Sequence, residues 1–264
     1  MKNIPPFTII YEDDNIIAVN KAAGVLVGGD RWVTGPEESR ERLDRLIAGI
    51  VPGSKIFVVH RIDRETSGLV VFAKNWESHR ELSLAFQRRD AVKRYIAVVH
   101  GRPPWRETAC DLPLVPNGNK QHQTIIDKYR GKQSLTRFKL VCGAGNYSVL
   151  EAWPETGRTH QIRVHAAALG FPVVCDTLYG RSKPVLLSGI KKNWRGDRLD
   201  EKPLLARLGL HAESLSLPAD SFSGKMSAAL SSGNNLISFH APPPRDIAAL
   251  VKQIKKIASF GTLE

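Results

Sequence analysis

Short apolar runs broken by polar clusters set the rhythm of the chain. Phe7-Thr8-Ile9-Ile10-Tyr11 and Ile16-Ile17-Ala18-Val19-Asn20 predict a pair of strands, with Glu12-Asp13-Asp14-Asn15 as their turn. Ile56-Phe57-Val58-Val59 and Leu69-Val70-Val71-Phe72-Ala73 predict two buried strands. Between them lies a polar turn with Ser67-Gly68 as its breaker. Lys93 to Gly101 alternates as a strand. Residues 136–141 and 147–152 predict a strand pair across Gly143-Ala144-Gly145-Asn146. Helical spacing enters at four places. Leu43, Leu46, Ile47 and Ile50 mark a helix from Glu37 to Ile50, and Leu82, Leu84, Ala85 and Phe86 mark one from Glu77 to Arg89. Ile162, Ala166 and Leu169 mark a third, with Thr159 suited to cap it and Gly170 to end it. Ile247, Leu250, Val251, Ile254 and Ile257 give the last, from about Arg245 to Ala258, a buried stripe opened by Pro242-Pro243-Pro244. Residues 101–135 are polar and predict a loose hairpin around Gly118-Asn119-Lys120 and Gly131-Lys132.

Strands and helices thus intermingle in an α+β chain, and 264 residues suffice for one good core. There is no internal repeat and no long linker, so a single domain over 1–264 is expected. The charge changes the picture more than the length does. Net charge is +12, yet the first 60 residues carry 7 Lys/Arg against 8 Asp/Glu, and the remainder 31 against 18. A cationic excess confined to one part of a chain suits a polyanionic partner, and also suits simple solubility. The three cysteines, Cys110, Cys142 and Cys175, lie far apart with no Cys-x-x-Cys, which argues against a disulfide framework or zinc site and fits a reducing cytoplasm. The start lacks a signal-peptide core, and no apolar run reaches membrane-spanning length.

Two polar stretches carry candidate chemistry. The first is His60-Arg61-Ile62-Asp63-Arg64-Glu65-Thr66-Ser67-Gly68-Leu69. A loop held between two buried strands is stiff, and a guanidinium nearby favours an ionised carboxylate. By chemistry alone, Asp63 is as well suited to a structural pair with Arg61 or Arg64 as to service as nucleophile or base. The second runs from Thr156 to Gly170. It holds Arg158, His160, Gln161, Arg163 and His165, with Arg163 one helical turn from His160. Histidines five apart do not share a helix face, so no metal pair is expected. Beyond it, Arg181, Lys183, Lys191, Lys192, Arg195 and Arg198 surround Trp194 in a basic loop that fits looped RNA and a solvated surface equally.

The first stretch resembles the catalytic-loop motif of the RluA-type RNA pseudouridine synthases, His-Arg-[Leu/Ile]-Asp-x-x-Thr-Ser-Gly-Leu, without a break from His60 to Leu69. Gly157-Arg158-Thr159-His160-Gln161-Ile162-Arg163-Val164-His165 resembles the same family's third motif, and Lys93-Arg94-Tyr95 its Lys-x-Tyr strand. Lys21-Ala22-Ala23-Gly24 resembles its Lys-Pro-x-Gly turn with Ala22 in place of proline, and Leu210-His211-Ala212 resembles its Leu-His-Ala strand. Pro172 to Asp176 continues the match, with Cys175 where the family usually has glycine.

The resemblance runs from about Phe7 to the last helix. It implies the pseudouridine synthase catalytic fold: a central mixed, mostly antiparallel sheet flanked by helices and loops. It implies that Asp63 is the catalytic aspartate, that Arg163 pairs with it, and that Tyr95 packs on the target base. Read without it, Tyr95 is an ordinary half-buried strand tyrosine and Lys21 a surface lysine. Substrate contacts are implied for Arg61, His60, Thr66, Arg158, His160 and Gln161. The implied activity is isomerisation of selected uridines in structured RNA, ribosomal or transfer, by a monomer with no cofactor, no metal and no obligate protein partner. The family's small N-terminal RNA-binding module is not expected here. The rival readings are an inactive RNA-remodelling protein and a metal-independent nuclease or glycosidase.

Overall fold

The computed structural model describes residues 5–29, 42–51, 53, 55–116, 118–119, 123–191, 193–197, 199–219 and 236–260. Among them the strands are β1 (Phe7–Glu12), β2 (Ile16–Lys21), β3 (Phe57–Val58), β4 (Ser67–Ala73), β5 (Val92–His100), β6 (Glu107–Cys110), β7 (Leu114–Val115), β8 (Ile125–Ile126), β9 (Thr136–Ala144), β10 (Tyr147–Pro154), β11 (Leu210–Pro218) and β12 (Leu236–His240). The helices are α1 (Leu43–Ile50), α2 (Trp76–Arg88), α3 (Gln161–Ala168) and α4 (Arg245–Phe260). The pairings β1–β2, β2–β4, β3–β4, β5–β10, β9–β10, β6–β9 and β11–β12 are antiparallel, in keeping with the mostly antiparallel sheet expected. The chain divides into two compact units, 1–93 with 212–242, and 94–211 with 243–264.

In the first unit β4 is the central strand. All seven of its residues are buried, which is why it reads as a continuous apolar run and not as an alternating one. Its edge with β2 pairs Ile16 to Lys21 with Ala73 to Gly68. β1 and β2 form the expected hairpin, closed by Asp13, whose Oδ1 accepts from the Asn15 and Ile16 amides at 2.8 and 2.7 Å. Ser67 and Gly68 are not a turn breaker but the first residues of β4. Gly68 has φ 121°, and a Cβ there would lie 2.2 Å from the Ala212 carbonyl oxygen, so β11 approaches as closely as only glycine permits. Leu69, Val71, Leu82, Ala85, Leu215, Leu217, Ile237 and Phe239 form the core on one face of this sheet.

The second unit is built on β5, β10, β9 and β6 in that order. β9 and β10 close through Gly145-Asn146, with Gly145 at φ 55° as the tight turn requires. Ala97 and Val99 of β5 pack with Ile162 and Ala166 of α3, and the partly buried Tyr95 joins that cluster. Val98 on the opposite face packs with Ile247, Leu250 and Ile254 of α4, the stripe expected from the sequence.

Several boundaries differ from expectation. The helix expected from Glu37 begins at Leu43, after an extended Arg42; residues 37–41 lie outside the described residues, as does Trp32. Residues 56–59 do not form a buried strand: only Phe57 and Val58 pair with β4, and Val58 is exposed. The polar stretch 101–135 contains β6 along β9 as well as the short β7–β8 hairpin. β12 had no forecast at all. Its Leu236, Ser238 and His240 point outward and leave only Ile237 and Phe239 as an apolar signal.

Candidate active site

His60, Arg61, Asp63 and Thr66 lie in the first unit, and Tyr95, Arg158, His160, Gln161 and Arg163 in the second. Around Asp63 the backbone is stitched tightly. Its carbonyl accepts from the Thr66 amide at 3.1 Å, which closes a turn directly onto the start of β4. The next carbonyl, that of Arg64, accepts from the Gly24 amide at 2.8 Å and from Lys21 Nζ at 2.9 Å. Arg64 Nε in return donates to the Gly24 carbonyl at 2.9 Å. Asp63 itself is partly exposed, Arg61 and Arg64 are exposed, and Thr66 is buried with its hydroxyl unpartnered.

Lys21 is not a surface lysine. It is fully buried, and its ammonium donates to the carbonyls of Ala22, Val25 and Arg64 at 2.9, 2.8 and 2.9 Å. This one cation ties the 21–25 turn to the Asp63 turn where the family's proline is missing. Lys21→Met should therefore lower stability by about 3 kcal/mol, since one buried and two part-buried carbonyls lose a charged donor. Chemical denaturation checks this, and a midpoint unchanged from wild type would contradict it.

His60 braces the other side of the turn. Its Nε2 accepts the Val71 amide at 2.9 Å, so the proton of the neutral ring sits on Nδ1. The ring stacks on Phe86 with centroids 4.6 Å apart. Burial, with the Lys93 charge adding to it, pushes the His60 pKa down to about 3. An unfolded histidine titrates near 6.5, so between these values the unfolded chain binds the extra proton. The stability from neutral His60 is then complete above pH 6.5 and is lost as pH falls toward 3. The free energy of unfolding should decline through this range by up to about 1.4 kcal/mol per pH unit from this group. His60→Gln should flatten that decline; an identical slope in both proteins would refute the assignment. Buried His165 adds a slope of the same sign.

In the second unit α3 is buried nearly all round. Thr159, exposed, does not cap it; the N-cap is His160, at φ 55° and without a side-chain cap bond. Gln161 does the organising. Its Oε1 accepts from the Thr156 hydroxyl at 2.6 Å and the Arg158 amide at 3.0 Å, and its Nε2 donates to the Leu135 carbonyl and Thr136 Oγ1, both at 2.9 Å. Thr136 passes its own proton to His165 Nδ1 at 2.9 Å, and His165 Nε2 donates to the Leu112 carbonyl at 2.9 Å. Arg158 donates to the Gln133 carbonyl from Nε and Nη2, at 3.3 and 3.2 Å.

Arg163 is held by a carboxylate that the sequence reading did not single out. Its Nε and Nη2 form a fork with Asp176 Oδ2 and Oδ1, at 2.7 and 2.8 Å, with both side chains buried. Burial alone would raise the Asp176 carboxyl. The Arg163 hydrogen bonds and charge, with the Leu178 and Tyr179 amides, outweigh it and hold the pKa below its ordinary value. Tyr179 lies under the guanidinium, 5.1 Å from ring centroid to Cζ. Its hydroxyl accepts from the Thr124 amide at 2.8 Å and meets His160 Nδ1 at 2.8 Å. Cys175, beside Asp176, has φ 57°. That left-handed geometry explains why glycine suits the position; cysteine holds it at a cost of about 1–2 kcal/mol. Asp176 was legible only as the end of the continuation of the third motif, without chemistry of its own, and Tyr179 was not singled out.

The family model described as RNA pseudouridylate synthase matches residues 15–168. The chain belongs to that family. The ribosomal large subunit pseudouridine synthase D of Zymomonas mobilis is 36% identical over 182 residues, covering 67% of this chain and 57% of that protein. The dual-specificity RNA pseudouridine synthase RluA of Escherichia coli is 33% identical over 223 residues, covering 84% of this chain and 91% of that protein. The chain thus spans little more than half of the first relative and nearly all of the second. Among solved structures, human RNA pseudouridylate synthase domain containing 4 superposes with a TM-score of 0.65 at 22% identity, over 94% of this chain and 92% of that one, which shows the shared fold. No helix among the described residues is long and apolar enough to cross a membrane.

Proposed function

We propose that this pseudouridine synthase family member isomerises selected uridines of structured RNA, ribosomal or transfer, to pseudouridine, with Asp63 as its catalytic carboxylate. The reading rests on one observation: the family's catalytic motif stands intact from His60 to Leu69, in a turn bonded on both sides to neighbouring backbone. A uridine in folded RNA must first leave its stack, which costs a few kcal/mol. In this reading exposed Arg61 fills the vacated position and Tyr95 packs on the extruded base. Asp63 acts on the nucleotide while the bond from N1 to the ribose breaks. The uracil turns, its C5 bonds to the ribose, the C5 hydrogen leaves to water and N1 takes a proton. Atoms and electrons balance without an oxidant or phosphoryl donor.

Arg163, whose Nε–Nη2 edge holds Asp176, is in this reading the ion-pair partner of Asp63, as the family motif implies. Arg158 and Thr66 complete the RNA contacts in this reading. His60 through Nε2, His160 through Nδ1 and Gln161 through its whole amide are bonded inside the protein, and in this reading they act by positioning. RNA carrying tritium at C5 of uridine tests the proposal. Release of tritium to water with the chain length preserved is expected. Intact label would favour an inactive RNA-binding protein, and shortened RNA a nuclease.

A further inference from the structure

At the far end of β4 from the Asp63 turn, the first unit exposes an aromatic cluster. Trp76, the first residue of α2, is 68% exposed. Its ring lies 6.1 Å from Phe57 at 61° and 5.3 Å from His79 at 42°. Phe57 and His79 stack at 5.0 Å and 26°, and Lys55 Nζ stands 5.2 Å from the Phe57 centroid. A tryptophan propped on its inner side by two rings and left open on the outer one is costly to leave in water. The β1–β2–β4 sheet does not need it, since Leu82 and Ala85 already seat α2 on the core.

The cluster is continuous with the proposed catalytic turn. Phe57 pairs with Ala73, the last residue of β4, and Val58 with Phe72. The chain then runs back along β4 through His60, bonded to Val71, to Asp63 at the Ser67 end. Seven strand residues make this course about 20 Å long. Exposed Lys55, Arg61 and Arg64 lie on it, and Arg80 follows Trp76 by one helical turn, against Glu65 and Glu77 as exposed acids. A cationic track ending in a stacking surface fits a polyanionic strand with an unpaired base, better than it fits an apolar protein face.

We propose that Trp76, supported by Phe57 and His79 and flanked by Lys55, is a second RNA contact that stacks an unpaired base of the substrate about 20 Å from the uridine at Asp63. The inference rests on the RNA reading above and adds a specificity-determining site to it. Its function is to select uridines that have an unpaired nucleotide at that distance.

The test uses the full chain and a fluorescein-labelled twelve-residue oligouridylate. Trp76→Ala should weaken binding about 5- to 150-fold. Trp76→Phe, which keeps a stacking face, should stay within about threefold. Lys55→Ala should reduce the slope of log affinity on log salt by about 0.7. Tritium release from RNA labelled at C5 of uridine should show the Trp76→Ala loss in KM far more than in kcat. Equal affinity and equal KM for wild type and Trp76→Ala, with wild type releasing tritium, would overturn the inference and leave the activity standing. Wild type that binds the oligouridylate no better than Trp76→Ala would overturn it too. A wild type that releases no tritium would instead overturn the reading beneath it.

Discussion

Asp63→Asn is expected to abolish pseudouridine formation while RNA affinity stays within a few-fold of wild type. The substitution keeps the size of the side chain and removes only the charge and the reactive oxygen. The turn that carries it is held through backbone and neighbouring side chains: the Thr66 amide on the Asp63 carbonyl, Lys21 and Gly24 on the Arg64 carbonyl, and His60 on Val71. Those bonds persist in the Asp63→Asn protein, so the turn should survive the substitution. Where a covalent or proton-transfer role is removed outright, losses of several orders of magnitude follow. Single-turnover tritium release gives the rate, and filter binding to the same RNA gives the affinity. A rate within tenfold of wild type would take the chemistry away from Asp63.

Asp176→Ala should be the most damaging single change outside that turn. The substitution leaves the Arg163 guanidinium buried without its bidentate partner, which costs about 3–5 kcal/mol. The Leu178 and Tyr179 amides lose their acceptor at 2.9 and 3.1 Å as well. Melting temperature and denaturant midpoint should both fall, and activity should fall further than folding alone explains, because Arg163 loses the fork that aims it. The pH dependence separates this pair from His60. The depressed Asp176 pKa means that its contribution is present above the unfolded carboxylate value near 3.9 and is lost as pH falls through the lower folded value. Stability lost between pH 6.5 and 4 therefore belongs to the histidines, and the Asp176 loss comes in stronger acid. A fully stable Asp176→Ala protein would show that Arg163 is held chiefly by other groups.

Much of this was legible in the chain because burial writes itself into apolar patterns. β4, α2, α4 and the β9–β10 hairpin all bury a stripe or a whole strand, and each was anticipated to within a few residues. What escaped was polar or short. β6 holds only Cys110 buried among Glu107, Thr108 and Ala109, so no period stands out. Lys21 looked solvated because its burial depends on carbonyls of its own turn, Ala22 and Val25, closing with that of Arg64, which is far away in sequence. Asp176 looked like punctuation after a match, because its partner sits thirteen residues earlier on a helix whose polar residues Gln161, Arg163 and His165 are buried. Cys175 carried a real signal: a departure from glycine at a position whose φ is 57°. The candidate catalytic residues themselves came from a dense motif, and motif residues are readable where pattern alone is silent.

The most direct test is a nucleotide-resolution map of pseudouridine in ribosomal and transfer RNA from three strains: wild type, a deletion of this gene, and an Asp63→Asn allele at the native locus. The account predicts that the same small set of uridines is isomerised in the first strain and unmodified in the other two. Identical maps in all three, or sites lost on deletion but retained with Asp63→Asn, would contradict it.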